Sequence, residues 1–187
     1  MILPVHIIGS SVLRKVAEEI PEDYPALSEL IDNMYETMYS SDGVGLAAPQ
    51  IGKSIRLFII DASPMAEDEP ELESFKRTFI NAHIVEKSDD FMNFTEGCLS
   101  IPDVREDVSR HTTVTIEYVN EQFEAVTETF KGTAAVILQH EYDHTDGILF
   151  TDKVSPLRKK FLKRKLAQIA KGNFEKRYKF ILGQKYR

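Results

Sequence analysis

The spacing of hydrophobic positions along the chain predicts helices separated by a series of short strands. Apolar residues three and four positions apart, which are typical of one face of a helix, run from Pro25 to Ser40. A second helix is predicted to start at Gly132-Thr133, with Thr133 as its N-cap, and to end at the glycine of Asp146-Gly147. Alternating or continuously apolar runs predict strands at residues 54–61, 77–86, 104–110 and 113–130, the last with a turn near Asn120-Glu121.

A third helix, basic and amphipathic, is predicted to open at Ser155-Pro156 and to break at Gly172-Asn173. Its apolar stripe comprises Leu157, Phe161, Leu162, Leu166 and Ile169. Together these elements predict an α+β fold of mostly antiparallel β-sheets packed around the helix at residues 132–147. The N-terminal helix and the basic C-terminal helix complete this predicted arrangement.

The connecting segments are interpreted from their composition. Residues 62–76 are acidic and contain prolines, so we expect an exposed loop there, and residues 87–93 read as a turn. Residues 42–52 are rich in small side chains, and two interpretations of them stay open. They form either a tight, buried turn between a helix and a strand, or the wall of a pocket in which Gln50 is a fixed amide donor.

The length and charge of the chain limit its expected domain organisation, partners and location. The 187 residues are expected to form one domain over residues 1–187. Residues 1–150 contain 10 Lys and Arg against 28 Asp and Glu, a net charge of −18, whereas residues 151–187 contain 13 against 2, a net charge of +11. A basic helix and tail on an acidic body indicates either contact with a polyanion or docking on the body itself. Because no apolar run reaches membrane-spanning length and no signal peptide is evident, an intracellular protein without a membrane partner is expected.

The strongest candidate chemistry lies in the central helix, in the segment Gln139-His140-Glu141-Tyr142-Asp143-His144. Two histidines four residues apart share one face of a helix, so both imidazoles can bind one metal ion. Glu141 projects nearby and can act as a general base in hydrolysis. Polar side chains are costly among the apolar neighbours of this helix unless they bind something, which favours a metal site over a solvated helix face. The single cysteine, Cys98, is interpreted as a buried structural residue, a nucleophile or a further metal ligand.

Three segments together resemble the signature motifs of the peptide deformylase family: residues 43–50 (GVGLAAPQ), 96–100 (EGCLS) and 139–144 (QHEYDH). This resemblance spans residues 10–155 and implies a metal-dependent amidase that removes the formyl group from N-terminal formylmethionine. It implies Cys98, His140 and His144 as ligands of one ion per chain. That ion is Fe2+, with Zn2+, Ni2+ or Co2+ able to substitute, because the donor set suits all four. By the same resemblance Glu141 is the general base, and the Gln50 amide and the Leu99 backbone N–H stabilise the oxyanion.

The resemblance also implies how a substrate is bound. The expected partners are N-formylmethionyl nascent peptides, extended beside the backbone of Gly43–Gly45. The substrate-binding residues are expected to be Gly43, Val44, Gly45, Glu96, Gly97, Val136 and Ile137, with Val44, Val136 and Ile137 as walls of the methionine pocket. The basic tail is expected to reach ribosomal RNA, or else to dock internally. No DNA partner is expected, and the cytoplasm is the expected location.

Charged residues near the motifs suggest further contacts. Glu96 and Arg105 are predicted to form an ion pair that steadies the cysteine loop, with an inconsequential surface pair as the alternative. Asp143 and Asp146 are candidates to orient a ligand imidazole, with helix capping or solvent exposure as the alternative.

Two rival functions follow from the same residues. A metalloprotease shares the His-Glu-x-x-His pattern but takes its third ligand downstream, whereas Cys98 lies 42 residues before His140 and no histidine follows His144. A non-catalytic metal-binding or ribosome-associated module is the second rival. Glu141 and Gln50 argue against it, since a structural metal site needs neither.

Overall fold

The computed structural model describes residues 1–183; the final four residues of the basic tail, which share in the predicted polyanion contact, lie outside the described residues. The helices are α1 (Leu27–Ser40), α2 (Gly132–Thr145) and α3 (Pro156–Ala170). The strands are β1 (Val5–His6), β2 (Gly45–Ala47), β3 (Leu57–Asp61), β4 (Lys76–Lys87), β5 (Phe91–Cys98), β6 (Ile101–His111), β7 (Thr113–Val119), β8 (Ala125–Lys131) and β9 (Phe180–Ile181). None of the helices within residues 1–183 is long and apolar enough to cross a membrane.

A five-stranded antiparallel sheet separates helix α1 from helix α2. Its strand order is β2-β3-β4-β7-β8. Leu57 and Ile59 of β3 pack in the cluster that contains α1, whereas Phe58 and Ile60 pack in the cluster that contains α2. Because both faces of β3 are covered, its sequence is apolar at consecutive positions instead of alternating. The α+β class with mostly antiparallel sheets is confirmed.

A long hairpin of β5 and β6 lies beside this sheet and carries the cysteine at its turn. Its buried face includes Ile101, Val104 and Val108, which pack with apolar side chains of α3 and of the segment before it. The chain then returns after α3, and β9 pairs in parallel with β1. The described part of the tail is therefore packed on the body of the protein.

Several predicted boundaries and burial patterns are wrong in detail. β5 begins at Phe91, inside the segment that was assigned to a turn, because cross-strand pairing extends the hairpin to His111. The segment 62–76 is not simply exposed: it contains two 3₁₀ turns and buries Leu72 and Phe75 against the sheet. Thr133 is not the N-cap of α2, which starts at Gly132 after an extended Lys131.

The apolar stripe of α3 is also narrower than predicted. Leu162 and Ile169 are buried, but Leu157 and Phe161 are 63% and 65% exposed. The predicted glycine end of α2 is confirmed: Gly147 has a φ of +71°, and a side chain there would lie 2.8 Å from the Arg14 backbone. Tight packing and backbone conformation thus both require glycine at this position.

Candidate metal centre

The hairpin turn and helix α2 bring the three predicted ligands together. Cys98 is the last residue of β5, and His140 and His144 lie one turn apart on α2. Their candidate ligand atoms all lie within 4.8 Å of one another, and Cys98 Sγ is 3.3 Å from His144 Nε2. One thiolate and two imidazoles at this spacing can bind one divalent metal ion and leave a coordination position open.

A carboxylate fixes the orientation of the first imidazole. His140 Nδ1 donates to Glu96 Oε2 at 2.7 Å, which leaves Nε2 available to a metal ion. His144 presents Nε2 towards Cys98, while its Nδ1 is buried without a hydrogen-bond partner among the described residues. The two candidate ligand histidines are therefore held differently: a carboxylate orients His140, whereas His144 is fixed by its buried position.

Behind Glu96 lies a buried arginine that sequence reasoning missed. Arg110 Nε donates to Glu96 Oε1 at 2.6 Å, Nη2 donates to Glu96 Oε2 at 2.9 Å, and Nη1 donates to Asp143. Burial opposes ionisation of Glu96, but Arg110 and His140 outweigh it and lower the pKa of its carboxyl to about 2. Glu96 is therefore a stable anion that can hold His140 in one orientation.

This arrangement overturns two sequence-based predictions. Glu96 pairs with Arg110 and not with Arg105, which lies on the outward-facing side of β6 opposite Gly97. Asp143 pairs with Arg110 and Lys153, and Asp146 pairs with Arg56, so neither carboxylate is directed at an imidazole. The alternative of helix capping holds for Asp146, which is the C-cap of α2. The alternation of apolar and polar residues along β6 does indicate which arginine is buried. Arg110 is in phase with the buried valines at 104 and 108, whereas Arg105 is out of phase.

Glu141 is buried beside the backbone of β2. A Cβ placed on Gly45 would lie 2.5 Å from Glu141 Oε1, so the strand passes directly against the carboxylate. Glu141 Oε2 is buried with no hydrogen-bond partner among the described residues, and burial raises the pKa of the carboxyl to about 7. An acid in this state is suited to taking up and returning a proton near neutral pH.

Gln50 faces the cysteine from a 3₁₀ turn. Its Oε1 accepts from the Ala47 backbone N–H at 2.8 Å, which fixes the amide orientation and turns Nε2 towards the site. Nε2 lies 3.3 Å from Ser100 Oγ and 3.5 Å from Cys98 Sγ. The pocket interpretation of residues 42–52 agrees with the structure, since residues 42–45 and Gln50 line a cleft. The interpretation as a simple buried turn is incomplete, because the segment contains strand β2 followed by a 3₁₀ turn.

A cleft of about 830 Å³ opens in front of these groups. All seven predicted substrate-binding residues line it, together with Gln50, Cys98, Leu99, His140 and Glu141. Glu96 is nevertheless buried and held by Arg110, so its polar atoms are engaged with the protein. Four residues that no sequence motif indicates also line the cleft: Met65, Glu175, Arg177 and Tyr178.

Comparisons with known proteins place this geometry in a family. The family model described as polypeptide deformylase matches residues 2–160. A protein of Flavobacterium johnsoniae named peptide deformylase is 54% identical, over 100% of both chains. The structure is similar to a peptide deformylase of Legionella pneumophila, with a TM-score of 0.79, 36% identity, and coverage of 90% of this chain and 95% of that one. It is also similar to one from Plasmodium falciparum, with a TM-score of 0.81, 33% identity and the same coverage of each chain.

Proposed function

Because the chain belongs to the polypeptide deformylase family, an enzyme family that removes the formyl group from N-terminal formylmethionine, we propose roles for its individual residues in that reaction. The enzyme is a metal-dependent hydrolase of N-formylmethionyl peptides and releases formate. Cys98, His140 and His144 hold the metal ion, and Glu141 is the general base. The observation that carries this assignment is the convergence of those three ligand atoms beside Glu141, whose buried Oε2 has no hydrogen-bond partner within residues 1–183.

The side chains present fit a divalent cation. A thiolate and two imidazoles are ligands that Fe2+, Zn2+, Co2+ and Ni2+ all accept. The orientation of His140 by Glu96 and the close spacing of all three ligand atoms match what such an ion requires. The choice of Fe2+ as the resident ion, one per chain, rests on the family resemblance.

The reaction needs proton transfer and stabilisation of developing negative charge. A divalent ion supplies Lewis acidity, which lowers the pKa of a water molecule and polarises a carbonyl oxygen. Glu141 accepts the proton of the attacking water at its buried Oε2 and then delivers a proton to the leaving amine of methionine. Its burial keeps both transfers away from bulk solvent.

Two donors are assigned to the oxyanion that forms at the formyl carbon. Gln50 Nε2 is held towards Cys98 by the contact of its Oε1 with Ala47, so the amide needs no reorientation during the reaction. The Leu99 backbone N–H belongs to the turn that follows Cys98. Preorganised donors of this kind contribute to the transition state more than to substrate binding.

The peptide substrate fits the free edge of β2. Within the described residues this strand is at the end of the sheet order and pairs with β3 on one side. Its first residue, Gly45, lines the cleft together with Gly43 and Val44, which precede the strand. An extended peptide can therefore bind there as an added strand. Val44, Val136 and Ile137 line the same cleft and form the apolar site for the methionine side chain.

We expect purified protein to release formate from formyl-Met-Ala-Ser and to contain one iron per chain when it is purified without oxygen. Chelation should abolish the activity, and Fe2+ should restore it, because the site is complete only when the three ligands hold a metal ion. Formate is measured by a coupled dehydrogenase assay, and metal content by elemental analysis. Metal binding without formate release would support a non-catalytic module instead, and cleavage of internal peptide bonds would support a metalloprotease. Zinc as the sole metal of the anaerobic preparation would contradict the iron assignment.

The location and the macromolecular partner are further parts of the proposal. A cytoplasmic enzyme that meets nascent chains at the ribosome would encounter its substrate directly. Helix α3 supports ribosome contact, because Lys160, Lys163 and Arg164 are exposed on it together with the apolar Leu157 and Phe161. Exposed basic side chains bind nucleic acid phosphates in a salt-dependent manner.

Charge reversal on α3 tests this partner. The variant Lys160→Glu/Arg164→Glu should lose most co-sedimentation with ribosomes in low salt, because it places two negative charges one helical turn apart on the exposed face. The matched control is Lys87→Glu/Lys131→Glu, which makes the same charge change on exposed positions of strands β4 and β8. Equal loss in both variants, or no loss in the first, would contradict ribosome contact through α3.

A further inference from the structure

The C-terminal segment beyond α3 lies outside residues 2–160, which the family model matches, yet it forms part of the cleft wall. It is attached to the body at several points. The Glu175 backbone N–H donates to Asp103 at 3.0 Å, and the Val5 backbone N–H donates to the Lys179 carbonyl at 2.9 Å. Phe174 and Phe180 pack edge to face with ring centres 4.9 Å apart. These contacts give the segment a defined position beside the catalytic groups.

Tyr178 connects this segment to the loop that carries the metal ligand. Its hydroxyl donates to the backbone carbonyl of Leu99 at 2.5 Å, and its side chain lines the cleft. The contact joins two segments that are 79 residues apart in sequence.

Leu99 lies in the tight turn of the β5–β6 hairpin. Cys98 and Ile101 are paired across the hairpin, so Leu99 and Ser100 form the turn between them. The Ser100 carbonyl accepts from the Ile8 backbone N–H at 2.8 Å, and Ser100 Oγ contacts Gln50 Nε2. The Tyr178 hydroxyl holds the neighbouring peptide carbonyl, that of Leu99. Rotation of this turn would change the direction of the Leu99 N–H, which the proposed function assigns to the oxyanion.

We propose that Tyr178 is a positioning residue for deformylation, which holds the Leu99 carbonyl so that the Leu99 N–H points into the cleft. This inference rests on the proposed function only for the role of that N–H. The tail is then an integral part of the catalytic site.

Tyr178→Phe tests the proposal because it removes the hydroxyl and keeps the ring. We expect kcat for formyl-Met-Ala-Ser to fall about 10-fold while KM stays within twofold, since the Leu99 N–H acts on the transition state. The matched control is Tyr118→Phe on β7, which removes a hydroxyl that donates to Glu128 outside the cleft. It should leave kcat unchanged. Metal content, measured for both variants, should equal that of the wild type.

A second measurement reports on Leu99 without using activity. The chain contains one cysteine, so labelling the cysteine carbonyl with ¹³C and leucine with ¹⁵N selects the single Cys98–Leu99 amide in the Zn2+-loaded protein. Tyr178→Phe should shift this amide resonance, and Tyr118→Phe should not. An unmoved resonance, an unchanged kcat, a change in KM alone, or loss of metal in Tyr178→Phe would each overturn the proposal. If the wild type releases no formate, the proposed function fails, and the resonance alone decides whether Tyr178 positions Leu99.

Discussion

Replacing Glu141 with glutamine should reduce formate release by roughly 10²–10⁴-fold, the range typical of a lost general acid–base group. The amide keeps the shape of the side chain but cannot accept and return a proton. Glu141 is not one of the three residues whose ligand atoms converge, so the variant should retain its metal ion. The measurement is kcat for formyl-Met-Ala-Ser, made on protein whose metal content has been determined.

Gly45→Ala provides a second variant for the same group. Its new methyl group would lie 2.5 Å from Glu141 Oε1, so either the carboxylate or strand β2 must move. Gly43→Ala is the matched comparison, since a methyl group there would lie 3.2 Å from the end of the flexible Leu99 side chain. We expect a much larger loss of kcat in Gly45→Ala than in Gly43→Ala. Full activity of Glu141→Gln, or equal losses in the two alanine variants, would contradict the assignment of Glu141.

Arg110→Met should lower the free energy of unfolding by roughly 3–5 kcal/mol, because it leaves buried carboxylates without their partner. Arg110 is 2% exposed, and it bridges Glu96 and Asp143. The loss is measured by urea denaturation of the metal-free protein. Without Arg110, Glu96 is less well held against His140, so metal affinity should also fall, by about 10–100-fold in a chelator competition.

The matched control for this prediction is Arg105→Met. Arg105 lies on the same strand, but its side chain is exposed and makes no ion pair with Glu96. Its removal should change the free energy of unfolding by no more than about 0.5 kcal/mol, as for most surface substitutions. Equal destabilisation by the two variants would show that the buried ion pairs of Arg110 contribute no more to the free energy of unfolding than the exposed Arg105 does.

Much of the architecture could be predicted from the sequence because it depends on local pattern. The i, i+4 spacing of His140 and His144 on an apolar helix requires only helical geometry to bring both rings to one side. The strands at β3, β4, β6, β7 and β8 follow from runs of apolar or alternating residues, and α1 follows from its 3.6-residue period. The exposure of Leu157 and Phe161 on α3 could not be predicted, because periodicity shows which residues share a helix face but not how much of that face is buried by neighbouring elements.

Local pattern and motifs in the sequence were thus sufficient to predict the family, the fold class and the three residues that could bind a metal ion. Which charged residues pair depends on the tertiary structure. Glu96 pairs with Arg110 instead of Arg105, because strand alternation directs one arginine inwards and the other outwards. Tyr178 contacts Leu99 because the pairing of β9 with β1 brings the C-terminal segment beside the hairpin turn. No local sequence pattern predicts this pairing. Contacts between segments distant in sequence depend on how the layers pack, and packing is a property of the whole chain.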